Sequence, residues 1–327
     1  MTKTNAAGVY RKLFLNAAKV CFTFGILYYL YQKGLLDFSR VRALLSDYPV
    51  VLTVFSVVVL TAFGGVFRWW MLLLGQGLKV SIWEALRLTM IGTFFNTAIP
   101  GAVSGDLIKG YYVVRQQSDG RGRIKALTTL LLDRLLGLSA LICISFFAMI
   151  SNLQAMLGSA ALRPLCGFIA LLWLGVMTFY LFVLVEWSFT ARILKLLKKL
   201  PAGEYVSRLF EAVKSYENCR HYIIKGFFLS ITVHCAIIGV FILLAKSLGG
   251  FEMIPIDKFF FLTPLGLLVT AIPVAPAGLG TGHAAFLGLF QLVGSRAGAD
   301  LFTAFVAFQI LMSLIGGVFY LRYRQNM

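Results

Sequence analysis

The chain has 327 residues, of which 59% are hydrophobic and only 13% charged, with a mean hydropathy of +0.85. A soluble core of this size could not hide so much apolar surface, which excludes a soluble enzyme or binding module. The net charge of +17 would suggest nucleic acid in a soluble chain, but here Lys and Arg gather in short loops beside lipid headgroups, so no nucleic-acid partner is expected.

Apolar runs of about 20 residues, enough to cross ~30 Å of hydrocarbon, recur along the chain. They lie at about 13–31, 50–74, 126–150, 164–186, 223–245 and 301–321. The first follows Lys3, Arg11 and Lys12 and is interrupted by Lys19. It lacks a small-x-small cleavage site and reads as an uncleaved span. Two further tracts, about 82–115 and 256–293, are broken by Pro and Gly at their middles and read as helical hairpins. The longest hydrophilic stretch, about 187–222, is too short for a soluble catalytic domain. Its Phe189, Ile193, Leu196, Leu197 and Leu200 share one helical face, with Arg192, Lys195, Lys198 and Lys199 largely off it, and a second apolar set (Val206, Leu209, Phe210, Val213) follows Pro201. Such a segment lies flat in the headgroup region as an interfacial anchor, or serves as a lipid sensor.

The expected fold is therefore all-α: a single polytopic membrane domain over 1–327, with about six full spans and two re-entrant hairpins. With both termini cytoplasmic, Lys plus Arg number 17 on the inner side and 7 on the outer, which favours this orientation under the positive-inside rule.

Sliding the chain by 173 residues lays 50–100 on 223–273 without a gap. Thr97-Ala98-Ile99-Pro100 then falls on Thr270-Ala271-Ile272-Pro273, Gly77 on Gly250, and Glu84 on Asp257. Each copy runs apolar span, glycine pair, acid, apolar arm, Gly-rich turn, second arm and final span. The extra span at 164–186 makes the second copy enter from the opposite side. This predicts inverted repeats at about 50–150 and 223–321, of the kind that build a midplane site from broken helices. An ordinary hairpin of two tilted spans is the alternative reading of each broken tract.

Polar clusters interrupt this background. Asn96, Ser104, Asp106 and Lys109 flank the first break at Pro100, Gly101 and Gly105. Backbone N–H groups converging at the return helix suit a phosphate or carboxylate, although Asp106 also fits a simple cap. Asp133 and Arg134 lie about eight residues into their span, ~12 Å deep. The Arg134 guanidinium matches an anionic lipid group, while neutralisation with Asp106 or Lys109 is the structural alternative. The second break holds Pro273, Pro276, Gly278, Gly280, Thr281 and His283. His283 is placed to titrate, to meet phosphate, or to sit as a satisfied core histidine. Arg68, beside Trp69 and Trp70, reads as a snorkelling residue in an aromatic belt, and His234 as packing. The expected substrate-binding set is thus Asn96, Ser104, Asp106, Lys109, Asp133, Arg134, Thr281 and His283. Five Cys without CxxC spacing, and three His without HExxH, predict no disulfide and no metal site. No nucleotide-binding P-loop is present and no cofactor is expected.

The Asn96–Asp106 stretch with Lys109, the Asp133-Arg134-x-x-Gly137 signature and the Pro276-Ala-Gly-Leu-Gly280 turn resemble the flippase-like membrane domain of lysylphosphatidylglycerol synthases and its stand-alone bacterial and archaeal relatives. The likeness spans about 10–322. It implies movement of a lipid or lipid-linked precursor between leaflets, with polar residues of both hairpins lining the cavity, and a location in a bacterial cytoplasmic (inner) membrane. The synthases' soluble aminoacyl-transferase domain is missing, so the resemblance implies translocation without headgroup synthesis. Gly282-His283 stands where an Arg-Glu pair is common, and Ala102 where a Gly often sits. The leading expectation is a non-enzymatic translocase for an anionic phospholipid or polyprenyl-phosphate-linked lipid. The alternatives are a lipid-modifying membrane enzyme and a lipid-binding scaffold of an envelope biosynthesis complex. Partners are membrane lipids with an anionic headgroup, with homo-oligomers and envelope biosynthesis proteins left open.

Overall fold

A computed structural model of the protein describes residues 24–98, 104–116, 120–185, 207, 210–211, 213–214, 216, 219–272 and 278–325. Every regular element within these residues is helical. In chain order they are α1 (24–32), α2 (Phe38–Leu45), α3 (Tyr48–Gly75), α4 (Ile82–Ala98), α5 (Ser104–Arg115) and α6 (Gly120–Ser151). There follow α7 (Leu153–Gly158), α8 (Arg163–Leu184), α9 (Arg220–Leu248), α10 (Ile256–Thr270), α11 (Thr281–Gln291) and α12 (Gly298–Gln325).

Five of these, α3, α6, α8, α9 and α12, are long and apolar enough to cross a membrane. They cover the spans predicted at 50–74, 126–150, 164–186, 223–245 and 301–321; of the predicted first span, 13–23 lies outside the described residues. Continuous apolar sequence sets these helices, and their ends carry ordinary stop and start signals. Asp47 caps α3 by accepting from the Val50 N–H, with Pro49 in the first turn. Large side chains left exposed on α3, α8, α9 and α12, such as Leu60, Phe63, Leu171, Phe228 and Leu314, form the outward apolar surface expected of a membrane domain.

The remaining apolar helices are shorter within the described residues. At 17 and 12 residues, α4 and α5 reach ~25 and ~18 Å, while α10 and α11, with 15 and 11 residues, reach ~22 and ~16 Å. Each pair doubles back on itself. Gln116 Nε2 donates to Glu84 Oε1 at 3.0 Å, bringing the start of α4 to the end of α5. The Phe259 and Phe290 rings, 5.2 Å apart, do the same for α10 and α11. The arms of the first pair cross at Gly92 and Gly105, where a Cβ on Gly105 would run into the Gly92 carbonyl. Gly105 is therefore a crossing point within α5, not part of the turn predicted for it. The predicted turn residues Pro100, Gly101, Pro273 and Pro276 lie outside the described residues, as does most of 187–222. Of that last segment, Tyr216 is fully buried and its hydroxyl donates to the Leu72 carbonyl at the end of α3.

The halves of the chain are interlocked. α4 packs along α12 and α10 along α6, while α3 and α9 run against each other. A stack of rings from Phe241, Phe286, Phe302 and Phe305 fills the space among α9, α11 and α12. Pro264 removes one backbone donor within α10, and the Ser145 hydroxyl of α6 donates to the nearby Phe261 carbonyl at 2.6 Å. Polar contacts tie the outer ends of these pairings. Tyr323 near the end of α12 donates to Glu84 at 2.8 Å, and Asn152, just past α6, donates to Asp257 on α10 at 2.9 Å.

Candidate functional site

Asp106, Lys109, Arg134, Arg68 and Asp133 form two ion-pair networks. In the first, Asp106 on α5 accepts from Arg134 Nε of α6 at 3.1 Å and lies 3.8 Å from Lys109 Nζ one turn further along its own helix. Lys109 is almost wholly buried, with its ammonium 4.3 Å from the centre of the Trp69 ring. Trp69 donates through Nε1 to Thr129 Oγ1 at 3.2 Å, which fixes the ring as a platform for the cation. The helix start is capped by a different residue: Asn96 Oδ1 accepts from the Gly105 N–H at 2.7 Å. Asp106 reaches from the same turn to Arg134, and Ser104 opens the helix beside it.

The second network corrects the reading of Arg68 as a snorkelling residue. Arg68 Nε donates to Asp133 Oδ1 at 2.7 Å and its Nη1 to Ser230 Oγ at 2.9 Å, and Ser230 in turn donates to the Gly226 carbonyl. The Arg68 and Asp133 side chains are only 13% and 15% exposed. Asp133 is thus joined to α3 and, only through Arg68, to α9, while Asp106 pairs with Arg134 and Lys109. Trp70 donates to the Val80 carbonyl, bracing the turn into α4. His234, on α9, lies beside the gap left by Gly137, near the Arg68 guanidinium.

In the second hairpin, His283 Nδ1 accepts from the Gly280 N–H at 3.2 Å and the ring meets Phe302 edge-on at 4.9 Å. Thr281 donates to the Gly278 carbonyl at 3.3 Å. Gly278 and Gly280 have φ of +69° and +78°, the left-handed conformation that glycine adopts without steric cost. His283 and Thr281 therefore hold the turn into α11 together.

Between the two hairpins lies a cavity of about 400 Å³, a size that suits a headgroup or small ligand. From the first half of the chain it is lined by Thr61, Thr93, Asn96, Thr97 and Arg134, and from the second by Thr270 and Gln309, with apolar side chains of α3, α9 and α12 between them. Of the eight predicted site residues, Asn96 and Arg134 reach this wall. Asp106 and Lys109 stand behind it through Arg134, while Asp133, Thr281 and His283 are engaged elsewhere. Sequence reasoning passed over Gln309 and the four threonines. The signal available was the i, i+3, i+4 set Thr93, Asn96 and Thr97 on one face of α4.

An apolar groove of about 620 Å³ adjoins the cavity. Leu138 and Ile142 of α6, Leu172 of α8, Leu268 of α10 and Ile272 just beyond it line the groove, and Ala271 belongs to both walls.

A family model described as the lysylphosphatidylglycerol synthase TM region matches residues 16–318. No curated protein and no solved structure matches the chain.

Proposed function

The chain belongs to the family of lysylphosphatidylglycerol synthase transmembrane regions, and on that premise we propose that it is a non-enzymatic lipid translocase, a flippase or scramblase-like transporter for an anionic phospholipid or polyprenyl-phosphate-linked lipid. The observation that carries the proposal is the cavity between the two hairpins, where Arg134 faces hydroxyl and amide groups and an apolar groove begins at the shared residue Ala271. Arg134 holds the phosphate, backed by Asp106 and Lys109, and the lipid chains stay in the groove and the surrounding bilayer. A soluble anion would have no use for the groove.

In this reading α4–α5 and α10–α11 are re-entrant hairpins of two inverted repeats, about 50–150 and 223–321. The protein sits in a bacterial cytoplasmic membrane with both termini inside. Glu84 with Tyr323 and Asp257 with Asn152 are then equivalent latches at opposite surfaces, each joining one repeat's hairpin to the other's final span. Opening one while the other stays closed gives the headgroup access from one side at a time.

Reconstitution into liposomes with fluorescent, dithionite-quenchable lipids tests the proposal. Protein-dependent movement of an acidic phospholipid or a polyprenyl phosphate is expected, slowed roughly tenfold or more in Arg134→Gln, as loss of a charge-assisted contact to phosphate predicts. Correctly folded protein that moves neither lipid class refutes it.

A further inference from the structure

The wall of the cavity selects among phosphate-bearing headgroups. Four of its hydroxyls spend their protons on their own helices: Thr61 donates to Val58 O, Thr93 to Thr89 O, Thr97 to Thr93 O and Thr270 to Leu267 O, at 2.7–3.3 Å. What these threonines turn to a ligand is therefore acceptor lone pairs. Acceptors suit O–H donors and ammonium groups alike, so charge decides between them. Arg134 is the one charged side chain on the described wall, and no carboxylate lines it.

The carboxylates nearest the site are already committed. Among the described residues, Asp106 contacts both Arg134 and Lys109, and Asp133 is bonded to Arg68. The two turn segments that lie outside the described residues, 99–103 and 273–277, contain no ionisable residue. A phosphodiester entering the cavity supplies a counter-charge to a network rich in cations. An ammonium entering beside it would add a like charge where the low dielectric makes this costly.

We infer that the headgroup taken by this cavity is a phosphodiester carrying an uncharged polyol, glycerol or a sugar, and that amine-bearing headgroups, aminoacylated ones included, are excluded by charge. The inference rests on the reading of the cavity as the headgroup site. It sets this chain apart from the cationic lysyl ester for which the family is named. The phosphate meets Arg134, and the polyol hydroxyls meet the threonine oxygens with the Asn96 and Gln309 amides alongside.

Binding to the detergent-solubilised full chain, measured by native mass spectrometry and by competition with a fluorescent short-chain lipid, tests this without requiring transport. The probes are phosphatidylglycerol, phosphatidylethanolamine, lysylphosphatidylglycerol and soluble glycerol 3-phosphate. Phosphatidylglycerol should bind at least about tenfold more tightly than either amine-bearing lipid, the scale of a single charge-assisted hydrogen bond. It should also outcompete glycerol 3-phosphate, which has the headgroup chemistry without chains; equal binding of the two would mark a soluble-phosphate site and overturn the lipid assignment. Gln309→Glu places a carboxylate on the wall and should shift the preference toward lysylphosphatidylglycerol by a similar factor while leaving thermal stability unchanged. Equal or tighter binding of lysylphosphatidylglycerol by the unaltered protein overturns the inference, as does an unmoved ratio in Gln309→Glu. Non-selective binding together with active transport would sink the headgroup assignment alone, whereas selective binding without transport would sink the translocase reading alone. No binding above background removes both.

Discussion

Replacing Asp133 by Asn tests whether the Arg68–Asp133 pair is a structural clasp. The 2.7 Å contact joins α3 to α6, and with side chains 13% and 15% exposed it is little screened by solvent. Removing one partner of such a pair costs about 3–5 kcal/mol, because the surviving charge is left without compensation. The lower end applies here, since Ser230 continues to accept one Arg68 N–H. A loss of about 3 kcal/mol is somewhat more than a hundredfold in the folded-to-unfolded ratio, and it should appear as a markedly lower unfolding midpoint of the purified protein in detergent. Arg68→Met should cost a similar amount. The double variant Arg68→Met, Asp133→Asn takes away both charges and should be more stable than either single variant, which corresponds to a coupling above about 3 kcal/mol in the double-mutant cycle. Additive single effects, or an Asp133→Asn protein as stable as the original, would refute the clasp and return Asp133 to the ligand.

Gly105→Ala pushes a Cβ into the Gly92 carbonyl, a backbone group with little freedom to retreat; a sharp fall in folded yield is expected, of the ~1–3 kcal/mol or more that overpacking brings. Gly65→Ala, with nothing within 4 Å, should be neutral or stabilising by up to about 1 kcal/mol, and equal behaviour of the two in a thermal-unfolding assay would contradict the crossing. His283→Ala strips the buried Gly280 N–H of its acceptor and should lower the unfolding free energy by about 1–3 kcal/mol; if transport falls while the unfolding curve is unchanged, the histidine acts on substrate instead. Tyr323→Phe removes the hydroxyl that donates to Glu84. It should cost only about 1 kcal/mol of stability yet raise the reactivity of a cysteine placed at Thr97 toward a membrane-impermeant thiol reagent from that surface, with Asn152→Ala acting from the other; unchanged labelling in both would discount the latches.

The helices were the most legible part of the chain, because a span needs only an uninterrupted apolar run, and α3, α6, α8, α9 and α12 each have one. The broken tracts were legible as pairs of arms: Pro and Gly in mid-tract divide each one, and the arms on either side fold back on each other. Partnerships were harder to see. Arg68 and Asp133 are 65 positions apart, and an arginine beside two tryptophans near a span's end has the appearance of a belt residue. Beyond the Thr93, Asn96 and Thr97 spacing on α4, the cavity threonines are hard to read because each hydroxyl is satisfied by its own helix, which is what makes threonine compatible with an apolar span at all. Gln309 is a lone amide in an apolar helix, with no spacing to mark it, and it acquires meaning only when α12 packs along α4.

The adjacency of Asp133 and Arg134 is itself misleading, and the reason is geometric. Consecutive residues on a helix point about 100° apart, so the two side chains do not face each other and must find partners on different neighbours. Asp133 turns to α3, where Arg68 meets it and carries the contact on to Ser230 of α9; Arg134 turns to α5, where Asp106 meets it, and to the cavity. One dipeptide thus fastens α6 to α3 with one residue and presents a cation to the site with the other. Any tilt of α6 that displaces Arg134 relative to the cavity must also strain the Arg68–Asp133 bond. In the translocase proposed above, that coupling would keep the guanidinium fixed while the hairpins around it move, so that the same charge meets the phosphate from either side of the membrane.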